Sequence, residues 1–172
     1  SDAVTSLGKL LRYSMKWVSG NVLVEQELEY IKNYMALINL RFDYEIYLSL
    51  NLPEIILQQE IPKMSLQPIV ENAIYHGLDR MVDEGRILIR IYSEGEDVVF
   101  RVEDNGVGMS EEQCRSILHK EPGDNSGIGI KNVNDRIKIY FGKEYGLSIE
   151  SELDEGTTVI IRMPKVEENA AA

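Results

Sequence analysis

Leu66-Gln67-Pro68-Ile69-Val70-Glu71-Asn72-Ala73-Ile74-Tyr75-His76-Gly77 carries two patterns at once. Leu66, Ile69, Val70, Ala73, Ile74 and Gly77 recur at helical spacing, which predicts a helix over residues 62–78 with one buried face. Asn72, Tyr75 and His76 stand at i, i+3 and i+4 and share the opposite face. An Asn carbonyl suits a hard cation such as Mg²⁺, which takes few protein ligands and fills its shell with phosphates and water. A solvated helix face has the same spacing, so the meaning of this stretch depends on its surroundings.

On both sides the period changes to that of strands. Upstream, Tyr44, Ile46, Leu48 and Leu50 alternate with Glu45, Tyr47 and Ser49, as in a half-buried strand. Downstream, strands are predicted over residues 86–92 and 97–103 around Glu94-Gly95-Glu96, and over 147–151 and 157–163 around Asp154-Glu155-Gly156. Ser110-Glu111-Glu112-Gln113 is a capping box that opens a short helix. Ile130, Val133, Ile137 and Tyr140 mark another helix, starting near Gly127. Five amphipathic strands with three helices predict an α+β fold, a two-layer α/β sandwich whose one mixed sheet is covered by helices on one face.

The first 43 residues read differently. Leu7, Leu10, Leu11, Met15 and Val18 fall on one helical face, and Leu28, Ile31, Met35 and Ile38 follow with the 3-4-3 spacing of a bundle seam. Ser19-Gly20-Asn21 supplies a helix stop between them. The division is therefore a helical hairpin over 1–43, a domain over 44–166 and a frayed tail over 167–172. The seam either meets a second copy of the chain or covers the hairpin's own partner helix.

Charge and cysteine content narrow the function. With 18 basic and 29 acidic residues the net charge is −11, which disfavours general binding to nucleic acid or to an anionic membrane surface. No apolar run reaches the roughly 20 residues of a membrane span, and no secretory leader is visible. Cys114 is the only cysteine, so an intrachain disulfide and a cysteine-rich metal site are both excluded. These features predict a reducing, cytoplasmic setting, including that of a piece of a larger membrane protein.

Two further stretches carry chemistry. Val102-Glu103-Asp104-Asn105-Gly106-Val107-Gly108-Met109 ends a strand with Asn-Gly, normally a hairpin signal, yet a helix follows instead of a partner strand. Its glycines let backbone approach a flat ligand. Asp104 can accept a hydrogen bond from an exocyclic amino group such as that of adenine, with Met109 against the ring. In Gly123-Asp124-Asn125-Ser126-Gly127-Ile128-Gly129-Ile130-Lys131-Asn132, two glycines open a helix whose free N–H groups and dipole favour phosphate. A lone Gly-x-Gly is weak by itself. Asn132 and the preceding polar loop argue against a dinucleotide-binding turn, and no P-loop sequence exists.

Taken in order, these three stretches resemble the GHKL group of ATP-binding domains, shared by sensor histidine kinases, gyrase-type ATPases and heat-shock chaperones. Residues 66–77 look like the N box of LytS/YesM-type sensor histidine kinases. Gly127-Ile128-Gly129-Ile130-Lys131-Asn132-Val133-Asn134-Asp135-Arg136 and Gly156-Thr157-Thr158-Val159 look like its later glycine boxes. Leu10-Leu11-Arg12-Tyr13-Ser14 and residues 25–42 are similar too, so the resemblance covers almost the whole chain.

The resemblance implies ATP and Mg²⁺ as cofactors, with Asn72 as metal ligand and Asp104 reading the adenine amino group. Gly106, Gly108 and Met109 would shape the pocket wall, and Thr158 would support the base through Asp104 or a water. Gly127, Ile128, Gly129, Lys131, Asn132, Tyr75 and His76 would serve the phosphate side, under a lid over about residues 110–126. The implied activity is that of a protein-histidine kinase, passing the γ-phosphoryl group of ATP to a histidine and onward to an aspartate of a response regulator. A homodimer through the helical bundle and a membrane-anchored sensor belong to the same implication. A nucleotide-binding module that recruits a partner without transfer is the runner-up, and an ATP hydrolase the third reading.

Departures from the group matter. Pro68 stands where many members carry Glu or Asn, and it can do no acid–base work. Glu71 is close in sequence but about 100° around the helix from Asn72, so its catalytic role is left open. Tyr75 replaces a frequent Lys, leaving phosphate charge to His76, Lys131, Mg²⁺ or backbone. His76 and His119 are the only histidines, and neither has the setting of a phosphoacceptor. Self-labelling of these 172 residues is not expected.

Overall fold

The computed structural model describes residues 20–41, 46–78, 84–119 and 128–166. The expected helix over residues 1–19, the loop at 120–126 with Gly127, and the tail at 167–172 lie outside them.

The described chain begins with strand β1 (Asn21–Leu23) and helix α1 (Val24–Arg41). Strand β2 (Ile46–Asn51), a 3₁₀ turn (Glu54–Gln58) and strand β3 (Glu60–Pro62) follow. Helix α2 (Gln67–Asn72) runs on into a π-helical turn (Ala73–Leu78). Next come β4 (Gly85–Glu94), β5 (Asp97–Asp104), α3 (Glu111–Leu118), α4 (Ile128–Phe141), β6 (Gly146–Glu152) and β7 (Gly156–Pro164).

The five long strands form one sheet in the order β2-β4-β5-β7-β6, with β2 parallel to β4 and every other pair antiparallel. The sheet is mixed, as the alternation predicted. Period-two patterning puts Ile87, Ile89, Ile91, Val98, Phe100, Val102, Val159, Ile161 and Met163 on one face, where each is buried. Helices α1, α2 and α4 add Ile31, Ile69, Val70, Ile130, Val133 and Ile137 to the same core. Ion pairs between Arg90 and Glu103 (3.2 Å) and between Arg162 and Glu94 (2.7 Å) lie on the other face, as expected of a sheet covered on one side.

Two expectations change. The segment predicted as helix from residue 62 starts later, because β3 pairs antiparallel with β1 and a turn follows it. Met64 has φ +65° in that turn, its carbonyl held by the Arg136 guanidinium at 2.7 Å, while the buried Glu27 accepts the Ser65 N–H at 2.7 Å. The second correction concerns α1. Its seam residues Leu28, Ile31, Met35 and Ile38 are all buried in the core shared with the sheet. Their spacing records a face covered by this chain, not one left open for a second copy.

The capping box has the geometry its sequence predicted. Ser110 Oγ accepts from Gln113 N–H at 3.2 Å, and Gln113 Oε1 accepts from Ser110 N–H at 2.9 Å. Asn39, at the end of α1, behaves like a strand partner: its amide accepts from Ile46 N–H at 2.8 Å and donates to Ile46 O at 3.2 Å. That pair fixes where β2 begins.

Candidate functional site

A cleft opens between α2 and the ends of β5 and β7, lined by Ile69, Asn72, Ala73, Gly77, Val102, Asp104, Gly108, Met109, Thr157 and Val159. An apolar wall with a few converging polar groups is what a small ligand needs. Asn72 and Asp104, 32 residues apart in sequence, face the same space. Among the described residues no hydrogen bond engages the Asn72 amide.

Asp104 forms the polar end of the cleft. It is paired in the ladder with Thr157 and accepts the Gly106 N–H at 2.8 Å. Burial pushes its carboxyl up to about 6, although the backbone N–H groups of Gly106 and Thr157 pull the other way. A desolvated carboxylate with an unused acceptor direction is a strong partner for an N–H donor.

The loop after Asp104 is shaped by close packing. A Cβ on Gly106 would lie 2.6 Å from the Gly77 backbone, and the Val107 N–H donates to Gly77 O at 3.2 Å. The end of the α2 π turn is thereby seated on the β5 loop. Gly108 has φ +72°, and its Cβ would sit 2.0 Å from Glu152 O, so only glycine fits there. Beyond it the Met109 N–H donates to Ser151 Oγ at 2.8 Å, and Ser151 Oγ shares a 2.7 Å hydrogen bond with Thr157 Oγ1. Asn105 is structural: its side chain accepts from Arg86 N–H at 2.7 Å and donates to Glu84 O at 3.0 Å.

The N-terminus of α4 packs against α2, with Gly129 close enough to Pro68 that a Cβ would lie 3.0 Å from the Pro68 Cβ. Lys131 is half-buried and pairs with Asp135 at 2.8 Å, so part of its charge is answered within α4. Asn132 is exposed. Gly127 and the side chains of His76 and Ile128 lie outside the described residues.

Three expected site residues are placed elsewhere. Thr158 pairs with Glu103 and is on the opposite face of the sheet, because strand neighbours alternate; Thr157 lines the cleft instead. Glu71 is turned from the cleft and accepts from Gln67 Nε2 at 3.0 Å. Tyr75, 43% exposed, does not line the cleft and lies beside Tyr34 of α1. Sequence reasoning missed Thr157 and Ser151. The strand parity of Asp104 and Thr157 was the available signal, but it needs the register between β5 and β7.

Residues 62–167 match the family model of histidine kinase-, DNA gyrase B- and HSP90-like ATPases, and residues 1–46 match that of histidine kinases. The chain belongs to this ATPase family. Along 95% of its length it is 37% identical to an uncharacterized sensor-like histidine kinase of Staphylococcus epidermidis, of which it spans 32%. It is 35% identical to the sensor histidine kinase YesM of Bacillus subtilis, of which it spans 27%. The chain thus spans about a third or less of the curated relatives it matches.

The ATPase fold itself is matched by the histidine kinase domain of a blue-light activated histidine kinase from Erythrobacter litoralis EL346. The TM-score is 0.59 at 16% identity, covering 95% of this chain and 73% of that one. Among the described residues of this ATPase-family chain, no group of three or more His, Cys, Asp or Glu side chains could hold a metal ion. Asn72 is the one expected metal ligand within the described cleft, which fits a cation completed by phosphate and water.

Proposed function

We propose that this chain is the ATP-binding catalytic part of a sensor histidine kinase, handing the γ-phosphoryl group to a histidine on another segment for relay to a response regulator. The observation that carries the reading is the convergence of Asn72 and Asp104 on one cleft. Asp104 accepts the adenine amino group at the closed end, Val102 and Met109 flank the base, and Gly106 and Gly108 give the loop its shape. Asn72 marks the triphosphate end, where it would hold Mg²⁺, whose charge would be set against that of the phosphates. The N-terminus of α4, with Gly127 and Gly129, and Lys131 and His76 meet the remaining phosphate charge. Phosphoryl transfer asks the protein mainly for positioning and electrostatics.

The acid–base role first considered for Glu71 has no support in the cleft, since its carboxylate is engaged with Gln67. The full-length protein would dimerise through a helical bundle and sit at the cell membrane through further segments. Within the described residues no helix is long and apolar enough to cross a membrane. The test supplies an upstream acceptor-histidine helix from a relative in trans with Mg²⁺-ATP. Acid-labile label on that helix is expected, and none on these 172 residues. Tight ATP binding with no transfer would favour the non-transferring module, and steady hydrolysis without acceptor would favour the hydrolase.

A further inference from the structure

The face of α1 turned toward α2 is polar, and its contacts are in register. Glu27, Tyr30 and Tyr34 follow one another at helical spacing. Glu27 accepts the Ser65 N–H at 2.7 Å, just ahead of α2. Tyr30 Oη accepts from Gln67 Nε2 at 2.7 Å, and that same Nε2 lies 3.0 Å from Glu71 Oε1. Tyr34, whose ring stacks on Tyr30 at 6.4 Å and 9°, lies beside Tyr75, and burial with that neighbour pushes its hydroxyl up. Two hydrogen-bonded ties, 27 to 65 and 30 to 67, and the approach of Tyr34 to Tyr75 thus follow α2 and its π turn.

Apolar helix faces tolerate sliding, whereas buried directional bonds do not, because a slip of one turn would strand every partner. Gln67 is buried, and its Oε1 finds no partner among the described residues, a cost that packing alone does not offset. Asn72 lies between Glu71 and Tyr75 on the same helix, about 100° around from Glu71 and facing the cleft. Strand β1 and helix α1 themselves lie within residues 1–46, the part of the chain that matches the histidine kinase family model.

We infer that Gln67, Tyr30 and Tyr34 are positioning residues, a polar register that ties the placement of Asn72 to α1 and so lets α1 set the phosphate end of the site. This inference rests on the nucleotide reading of the cleft and goes beyond it, since it concerns the side of α2 that touches no ligand. Phenol groups suit such a register, because burial, with Glu71 nearby, raises the Tyr30 hydroxyl to about 12 and keeps it neutral at working pH.

The test compares Gln67→Met and Tyr34→Phe with the unaltered chain, titrating adenosine and then Mg²⁺-ATP, with melting temperature followed for each. Adenosine engages the Asp104 end alone; the triphosphate adds the Asn72 end. Both variants are expected to keep adenosine affinity and melting temperature while losing about three- to tenfold in the ATP-to-adenosine affinity ratio. An unchanged ratio in both variants would overturn the inference while leaving the nucleotide site standing. So would loss of both affinities in step with melting temperature, the mark of a merely structural seam. Failure of the unaltered chain to bind either ligand would overturn the site and the seam together.

Discussion

At the scale of single residues, Asp104 is the cleft carboxyl that burial takes out of its ordinary state. Its carboxyl, pushed up to about 6 by burial, holds its proton more tightly in the folded chain than in the unfolded one. The sign follows from linkage: the stabilisation is full below the ordinary range near 4 and is lost as pH rises through about 6. Above that the buried carboxylate is a burden to the ligand-free protein. Asp104→Asn should therefore raise the melting temperature at pH 8, by an amount corresponding to on the order of 1–3 kcal/mol, and change it little near pH 4. Nucleotide binding reverses the balance, because the ionised carboxylate is the better acceptor for an amino group. ATP affinity should fall as pH drops through about 6 in the unaltered protein and be flat in Asp104→Asn; parallel pH profiles in the two would count against adenine reading by this side chain.

At the scale of elements, the site depends on two backbones lying nearly in contact. Gly106 seats on Gly77, and a Cβ there would meet backbone atoms that cannot swing away as a side chain can. Gly106→Ala should cost about 1–3 kcal/mol, seen as a melting temperature lower by roughly 2–10 °C, with ATP affinity falling as Asp104 and α2 part. An alanine variant with unaltered melting and affinity would mean that the π turn and the β5 loop are not held together as described.

The same scale explains what could be read from sequence. The five strands and the Ser110 cap were legible because period-two alternation and the capping box are local signals. Strands β1 and β3 were not, since three residues each give no period and their pairing spans about 40 residues. Nor was the late start of α2, which is set by Arg136 and Glu27 gripping the turn from distant helices. Of the cleft lining, Asn72, Asp104, Gly108 and Met109 were legible from residue chemistry and glycine placement. Thr158 was chosen over Thr157 because adjacent threonines are indistinguishable until the strand register is known.

At the scale of the whole molecule, β3 draws the two ends of the fold together. It pairs with β1 on one side and meets Val166 through Glu60, while Gln59 Nε2 donates to Val166 O at 3.1 Å. The segment entering α1, the turn before α2 and the last residues after β7 are thus joined at one place, beside the polar seam. A strongly acidic chain, net charge −11, must also concentrate its anion-attracting groups locally. In the proposed reading, backbone N–H groups at α4 and a cation on Asn72 would do this without a basic surface.

The central claim is that Asp104 and Asn72 enclose one nucleotide. Its most direct measurement is a calorimetric titration of Mg²⁺-ATP into the unaltered chain and into Asp104→Ala. Saturable one-to-one binding is predicted for the first, and binding about ten- to a hundredfold weaker for the second, as befits loss of a buried charged hydrogen bond. Equal heats from the two proteins, or none from the unaltered one, would contradict it.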